Sequence, residues 1–138
     1  MTNKYYDGAL KLYKKAKIVF IGSQDNEGYP NIKAVFAADK KDGMREVIIK
    51  TNTSSKHVRQ FRENPKGCLY FLSLIRGKGV MLKGTYSVVE DLDLKRKYWK
   101  KGDEKFYRKG DQDYCLLIFT PEKGRYYHKY DSGDFDVH

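Results

Sequence analysis

Cysteine is scarce in this sequence and no long apolar run occurs. Two cysteines, Cys68 and Cys115, stand in 138 residues, without CxxC spacing. That excludes a disulfide framework, a zinc ribbon and a dithiol redox motif. Their contexts, "GCLYFL" and "YCLLIF", predict buried strands carrying two reduced thiols. The three histidines, His57, His128 and His138, are scattered and form no metal-ligand cluster. No apolar stretch reaches the ~20 residues of a membrane-spanning helix. The N-terminal "MTNKYYDGALKLYKKAK" has no continuous apolar segment, so no secretory leader is read and a cytoplasmic location without membrane attachment is expected. No linker, repeat or low-complexity segment divides residues 1–138, which are expected to form one domain.

Acid is also short. Eighteen Asp and Glu face 28 Lys and Arg, a formal charge of +10, which favours anionic partners: phosphate ligands, nucleic acid or acidic surfaces. No acid–base pair or activated nucleophile stands out, and the catalytic residues stay unknown. His57 titrates near neutrality in principle, but the sequence places it on a surface helix turn.

With 40% hydrophobic and 33% charged residues, the chain should be globular rather than disordered. A helix is predicted over 3–16. Strands follow at 17–22, 31–39 and 44–51, the last two joined at "KKDG" (40–43), where Asp-Gly signals a hairpin. Ser54 or Ser55 can cap a helix over 55–63, which Asn64-Pro65 ends. Strands are predicted at 66–73 and 79–90, with Gly84 marking a bend or bulge. Asp91 can cap a helix over 92–101, with another helical turn over 104–109. Residues 113–121 and 124–130 read as a hairpin around "EK", and the tail "DSGDFDVH" as frayed. The fold class is mainly β: a barrel of six to seven largely antiparallel strands with small helices.

The corner "KTNTSSKHV" (50–58) is the most informative stretch. A helix N-terminus already favours an anion. This first turn holds hydroxyls and a cation, with no acid before Glu63. Thr51, Asn52, Ser55 and Lys56 can grip a phosphate. The plain alternative is a serine-capped helix with a solvated lysine.

The order of these segments resembles the pyridoxamine 5'-phosphate oxidase-like flavoproteins, the FMN-binding split barrels. The residues that carry the resemblance are Pro30-Asn31-Ile32-Lys33-Ala34-Val35, Thr51-Asn52, Ser55-Lys56 and Asn64-Pro65. Later, Trp99, Phe106-Tyr107, Gly110 and Asp113 look like the general stress protein 26-like branch. The resemblance implies FMN, with Lys33, Ala34 and Val35 along the ring and Thr51, Asn52, Ser55 and Lys56 at the phosphate. Trp99 has two readings: a wall of the ring pocket reaching in from a neighbouring subunit, or a core or interface anchor, the commoner role of a tryptophan late in a helix. The resemblance also implies a homodimer with FMN between subunits and an oxidoreductase whose small-molecule substrate is unknown. Two departures narrow this. Lys33 stands where the family has a ring-side arginine, and lacks the guanidinium fork. The ending "GRYYHKYDSGDFDVH" lacks the Trp and Arg-Leu-His-type substrate motif, so oxidation of pyridoxamine phosphate itself is not implied. The competing readings are a non-catalytic module for flavin, deazaflavin or haem, and a basic nucleic-acid-binding barrel. Against the last, the aromatic residues do not form a stacking row on one strand pair.

Overall fold

The computed structural model describes residues 3–39 and 43–137. The chain runs α1 (Lys4–Lys15), β1 (Ile18–Gln24), β2 (Pro30–Asp39), β3 (Val47–Thr51), α2 (Lys56–Glu63), β4 (Lys66–Ser73), β5 (Lys78–Val89), α3 (Leu92–Tyr98), β6 (Cys115–His128) and β7 (Gly133–Asp136). Short 3-10 turns occupy Asp103–Lys105 and Gly110–Gln112. The strand order is β3-β2-β1-β4-β5-β6-β7, and β3 also pairs with β6. That last pairing closes six antiparallel strands into a ring and leaves β7 as an appendage on β6. Closure removes the edges that would otherwise invite pairing with other chains.

Alternation along the strands builds the interior. Val19 and Ile21 of β1, Leu69 and Phe71 of β4, and Val80 and Leu82 of β5 have no exposed surface. The amphipathic α1 adds Ala9, Leu12 and Tyr13, with the Tyr13 ring 5.3 Å from Phe71. It starts at Asn3, whose side chain accepts from the Tyr5 amide. β3 is buried on both faces because a second apolar cluster (Ile48, Tyr114, Leu116) covers its far side.

The expected hairpin at 113–130 is instead one 14-residue strand, β6. The pairing of β5 with β6 shifts register between Lys83 and Gly84, opposite Pro121. This bulge absorbs the proline, which has no amide to donate, so the chain bends without turning back. A Cβ on Gly84 would sit 2.1 Å from the Thr120 carbonyl oxygen, so the bulge requires glycine. The tail is not frayed: β7 pairs with β6 and buries Phe135. α3 stops at Tyr98, three residues early, and only 3-10 turns follow it. The Asp-Gly turn lies largely outside the described residues; Gly43, its last position, has φ +62°. Cys115 is buried as expected, but Cys68 is half-buried on the outer face of β4.

Candidate functional site

α2 follows β3 after a four-residue corner, and Val58 and Phe61 pin it to the barrel. Phe61 stacks on Tyr86 with ring centroids 3.9 Å apart. A second tie is polar: Gln60 Oε1 accepts from Asn31 Nδ2 (3.1 Å) and from the Ser23 hydroxyl, joining α2 to β1 and β2. Ser55 occupies the N-cap position, and its side chain makes no capping hydrogen bond. The first turn holds no acid. The amides of Lys56, His57 and Val58 lack intrahelical acceptors by the geometry of any helix start. This corner therefore presents N–H donors, a hydroxyl and the exposed Lys56 ammonium in one place.

Behind it lies a residue that the sequence reading put on the surface. His57 is buried, with 2% of its surface exposed, and its Nε2 is 2.7 Å from the Thr51 hydroxyl. Burial pushes its pKa down to about 4, and the positive charge of Lys33 adds to the shift. His57 is thus neutral at physiological pH. Its position was legible: 57, 58 and 61 follow the buried stripe of a helix.

Asp113 is the other missed residue. Its carboxylate accepts from the Ser54 amide (2.7 Å) and hydroxyl (2.9 Å), and its carbonyl accepts from Asn52 Nδ2 (3.2 Å). Burial works against the charged form, yet the Ser54 hydrogen bonds, Lys109 and Asn52 hold the carboxyl below its ordinary range. The pair is 59 residues apart in sequence, and no local signal announces it. A second strap lies alongside. Lys50 Nζ donates to Asp103 (2.6 Å) and to the Tyr98 carbonyl (3.2 Å). Together they fix the 99–113 loop to the end of β3.

The predicted residues sort as follows. Lys33, Thr51, Asn52, Ser55 and Lys56 gather around the start of α2. Thr51 is buried and bonded to His57, so it supports the corner from behind. Asn52 spends its amide on Asp113. On β2, Lys33 lies opposite Ile21 and Val35 opposite Val19, whereas Ala34 lies opposite Phe20 on the other face. Trp99 caps the C-terminus of α3 and packs in the second cluster, 5.1 Å from the Tyr114 ring and 6.0 Å from Tyr107. Within its own chain it packs the 99–113 loop against Tyr114, the anchor reading of this residue.

The outer face of the sheet carries its own apolar surface. Ile18 and Phe36 are cross-strand partners, 47% and 57% exposed, and Ile32 is 70% exposed. A groove of about 810 Å³ continues this surface over Cys68 and Met81. Among the described residues no group of His, Cys, Asp and Glu could hold a metal ion. No described helix is long and apolar enough to cross a membrane.

A closed ring of six antiparallel strands defines a split barrel, with a polar corner at the start of α2. The chain belongs to the pyridoxamine 5'-phosphate oxidase family, whose profile matches residues 7–128. A solved structure described as a protein related to general stress protein 26 of B. subtilis, of the pyridoxine phosphate oxidase family, comes from Clostridium acetobutylicum. It is 35% identical, with 99% of this chain and 97% of that one covered and a TM-score of 0.87. General stress protein 26 from Bacillus anthracis is 16% identical over 98% of this chain and 100% of that one, TM-score 0.78. A haem-binding protein from Mycobacterium smegmatis is 12% identical, covering 99% of this chain and 59% of that one, TM-score 0.76. These last two show the fold alone. No curated relative matches in sequence.

Proposed function

We propose that this chain is an FMN-binding flavoprotein, a flavin-dependent oxidoreductase of unknown substrate that works as a homodimer with FMN at the subunit interface. The observation that carries this reading is the corner at the start of α2. Its amides, the Ser55 hydroxyl left over from capping, and the Lys56 ammonium match a phosphate dianion in charge and donor type. Lys56, Ser55 and the first-turn amides would hold the phosphate, with Thr51 held in place by His57. Asn52 would shape the corner through its bond to Asp113. Lys33, Ala34 and Val35 would run along the ring. Bound flavin would supply the hydride and electron chemistry. The outward Ile18, Ile32 and Phe36 suit burial against a second copy.

Haem and deazaflavin are the other occupants that the fold admits. Against haem stands His57, whose Nε2 already bonds Thr51 inside the protein. The absorption spectrum of the protein as isolated, and after incubation with FMN, tests the reading. A flavin spectrum is expected, with stoichiometric FMN released on denaturation. Lys56→Ala should weaken FMN by about 1.5–3 kcal/mol, the loss of a charged hydrogen bond. A protein that stays colourless and shows no titratable binding with excess FMN ends this reading. Bleaching by NAD(P)H with turnover separates the oxidoreductase from a non-catalytic carrier.

A further inference from the structure

We infer that the groove between α1 and the β4–β5 turn is a second anion site, for a compact polyanion of the di- or triphosphate class. The groove is about 540 Å³, and its walls carry Lys11, Lys14 and Lys15 from α1 and Arg76 and Lys78 from the turn, over a floor that includes Leu12. No carboxylate lines it, and none of the five cations forms an ion pair among the described residues. The nearest acid in sequence, Asp7, lies one turn before Lys11.

Two ordinary explanations cover only part of this. The negative C-terminal end of α1 favours Lys14 and Lys15. It has no bearing on Arg76 and Lys78, which come from another element. A net charge of +10 scatters lysines widely, but Lys78 is not placed as a surface lysine would be. It shares the strand face of Val80 and Leu82, both without exposed surface, at the position where the interior pattern of β5 calls for an apolar residue. Like charges at Lys11, Lys14 and Lys15, spaced i, i+3 and i+4, repel one another along the helix. A concave wall focuses that field toward an incoming anion.

The turn is built to hold its two cations. Gly77 has φ +63° and its amide donates to the Leu74 carbonyl (3.3 Å), while the Ser73 hydroxyl accepts from the Arg76 amide (3.4 Å). Arg76 and Lys78 therefore flank a fixed glycine. A volume of this order suits a small ligand rather than a duplex. Five cations match the three or four charges of a di- or triphosphate better than one carboxylate.

The test titrates FMN-saturated protein with sodium tripolyphosphate in 150 mM NaCl, read by calorimetry and by amide chemical shifts. One-to-one binding is expected, with shifts centred on Leu12, Ala16, Ser73 and Gly77. Lys14→Glu and Arg76→Glu should each weaken it at least tenfold, whereas Lys101→Glu, on the 99–113 loop, should not. Both wall variants should keep wild-type FMN affinity, so failure here leaves the corner reading untouched. Shifts spread over lysines across the whole surface would overturn the inference, as would unchanged affinity in Arg76→Glu. Loss of tripolyphosphate binding in Lys56→Ala would assign the anion to the corner and overturn it too. Equal affinity per phosphate for a single-stranded 12-mer DNA would overturn the commitment to a compact ligand.

Discussion

The Thr51 hydroxyl and His57 Nε2 stand 2.7 Å apart, both residues buried, directly beneath the start of α2. One side chain ends β3 and the other opens the helix. Their bond fixes how the corner leaves the barrel.

That relationship gives the protein a defined acid sensitivity. The folded pKa of His57 is about 4, against about 6.5 in an unfolded chain. Between those values the unfolded chain binds a proton that the folded one refuses. Stability should therefore fall as pH drops from 6.5 toward 4, with no further loss from this group below 4. The effect is on the order of 2 kcal/mol. Urea denaturation at pH 7 and pH 4.5 should show a drop larger by that amount in the wild type than in His57→Gln. Equal drops would mean that the imidazole is not held neutral.

Asp113 binds the late loop to the corner through Ser54 and Asn52. Asp113→Ala should cost about 1.5–3 kcal/mol, the range for hydrogen bonds to a charged group. Hydrogen exchange should rise at Thr53 and Ser54 and through 99–113, and not in β4 or β5. Uniform exchange across the chain would instead mean that the loop carries global stability.

Lys50 and Asp103 form an ion pair at 2.6 Å, with side chains 10% and 14% exposed. Removing one partner from such a site leaves an uncompensated charge. Asp103→Ala should destabilise by about 3 kcal/mol, and Lys50→Met/Asp103→Leu by clearly less. Thermal melts of the two variants decide it; equal losses would mean that the pair contributes net attraction rather than mutual compensation.

The β5–β6 bulge makes its own demand. In Gly84→Ala the new methyl meets the Thr120 carbonyl and the Pro121 backbone, neither of which can swing aside. A loss of about 2 kcal/mol or more is expected, typical of overpacking. Gly28→Ala, where nothing lies within 4 Å, tests backbone freedom alone at φ +90°. It should cost less in the same denaturation assay.

Several elements were legible because their signals are local. Short apolar stretches bounded by turn residues marked β1, β4 and β5, and Asp91 was readable as the cap of α3, where its side chain accepts from the Leu94 amide. Gly84 was readable as a bulge for the same reason. The hairpin expected around Glu122-Lys123 failed because a proline followed by two charged residues looks alike in a turn and at a bulge. Only the partner strand decides between them. His57 was misplaced although its helical phase was visible, since a titratable side chain weighs against burial until a partner such as Thr51 is known.

By itself, then, the sequence determined the secondary-structure periods, the polar helix start at Ser55-Lys56 and the excess of positive charge. The first two depend on neighbours within a turn or two, and the charge is a sum over the chain that needs no fold. Tertiary structure alone decided that β3 meets β6 to close the ring, that Asp113 reaches Ser54, and that Lys14 of α1 faces Arg76 across a groove. Each of these joins residues more than 50 positions apart. No local preference encodes such a meeting, because it is selected by how the whole core packs.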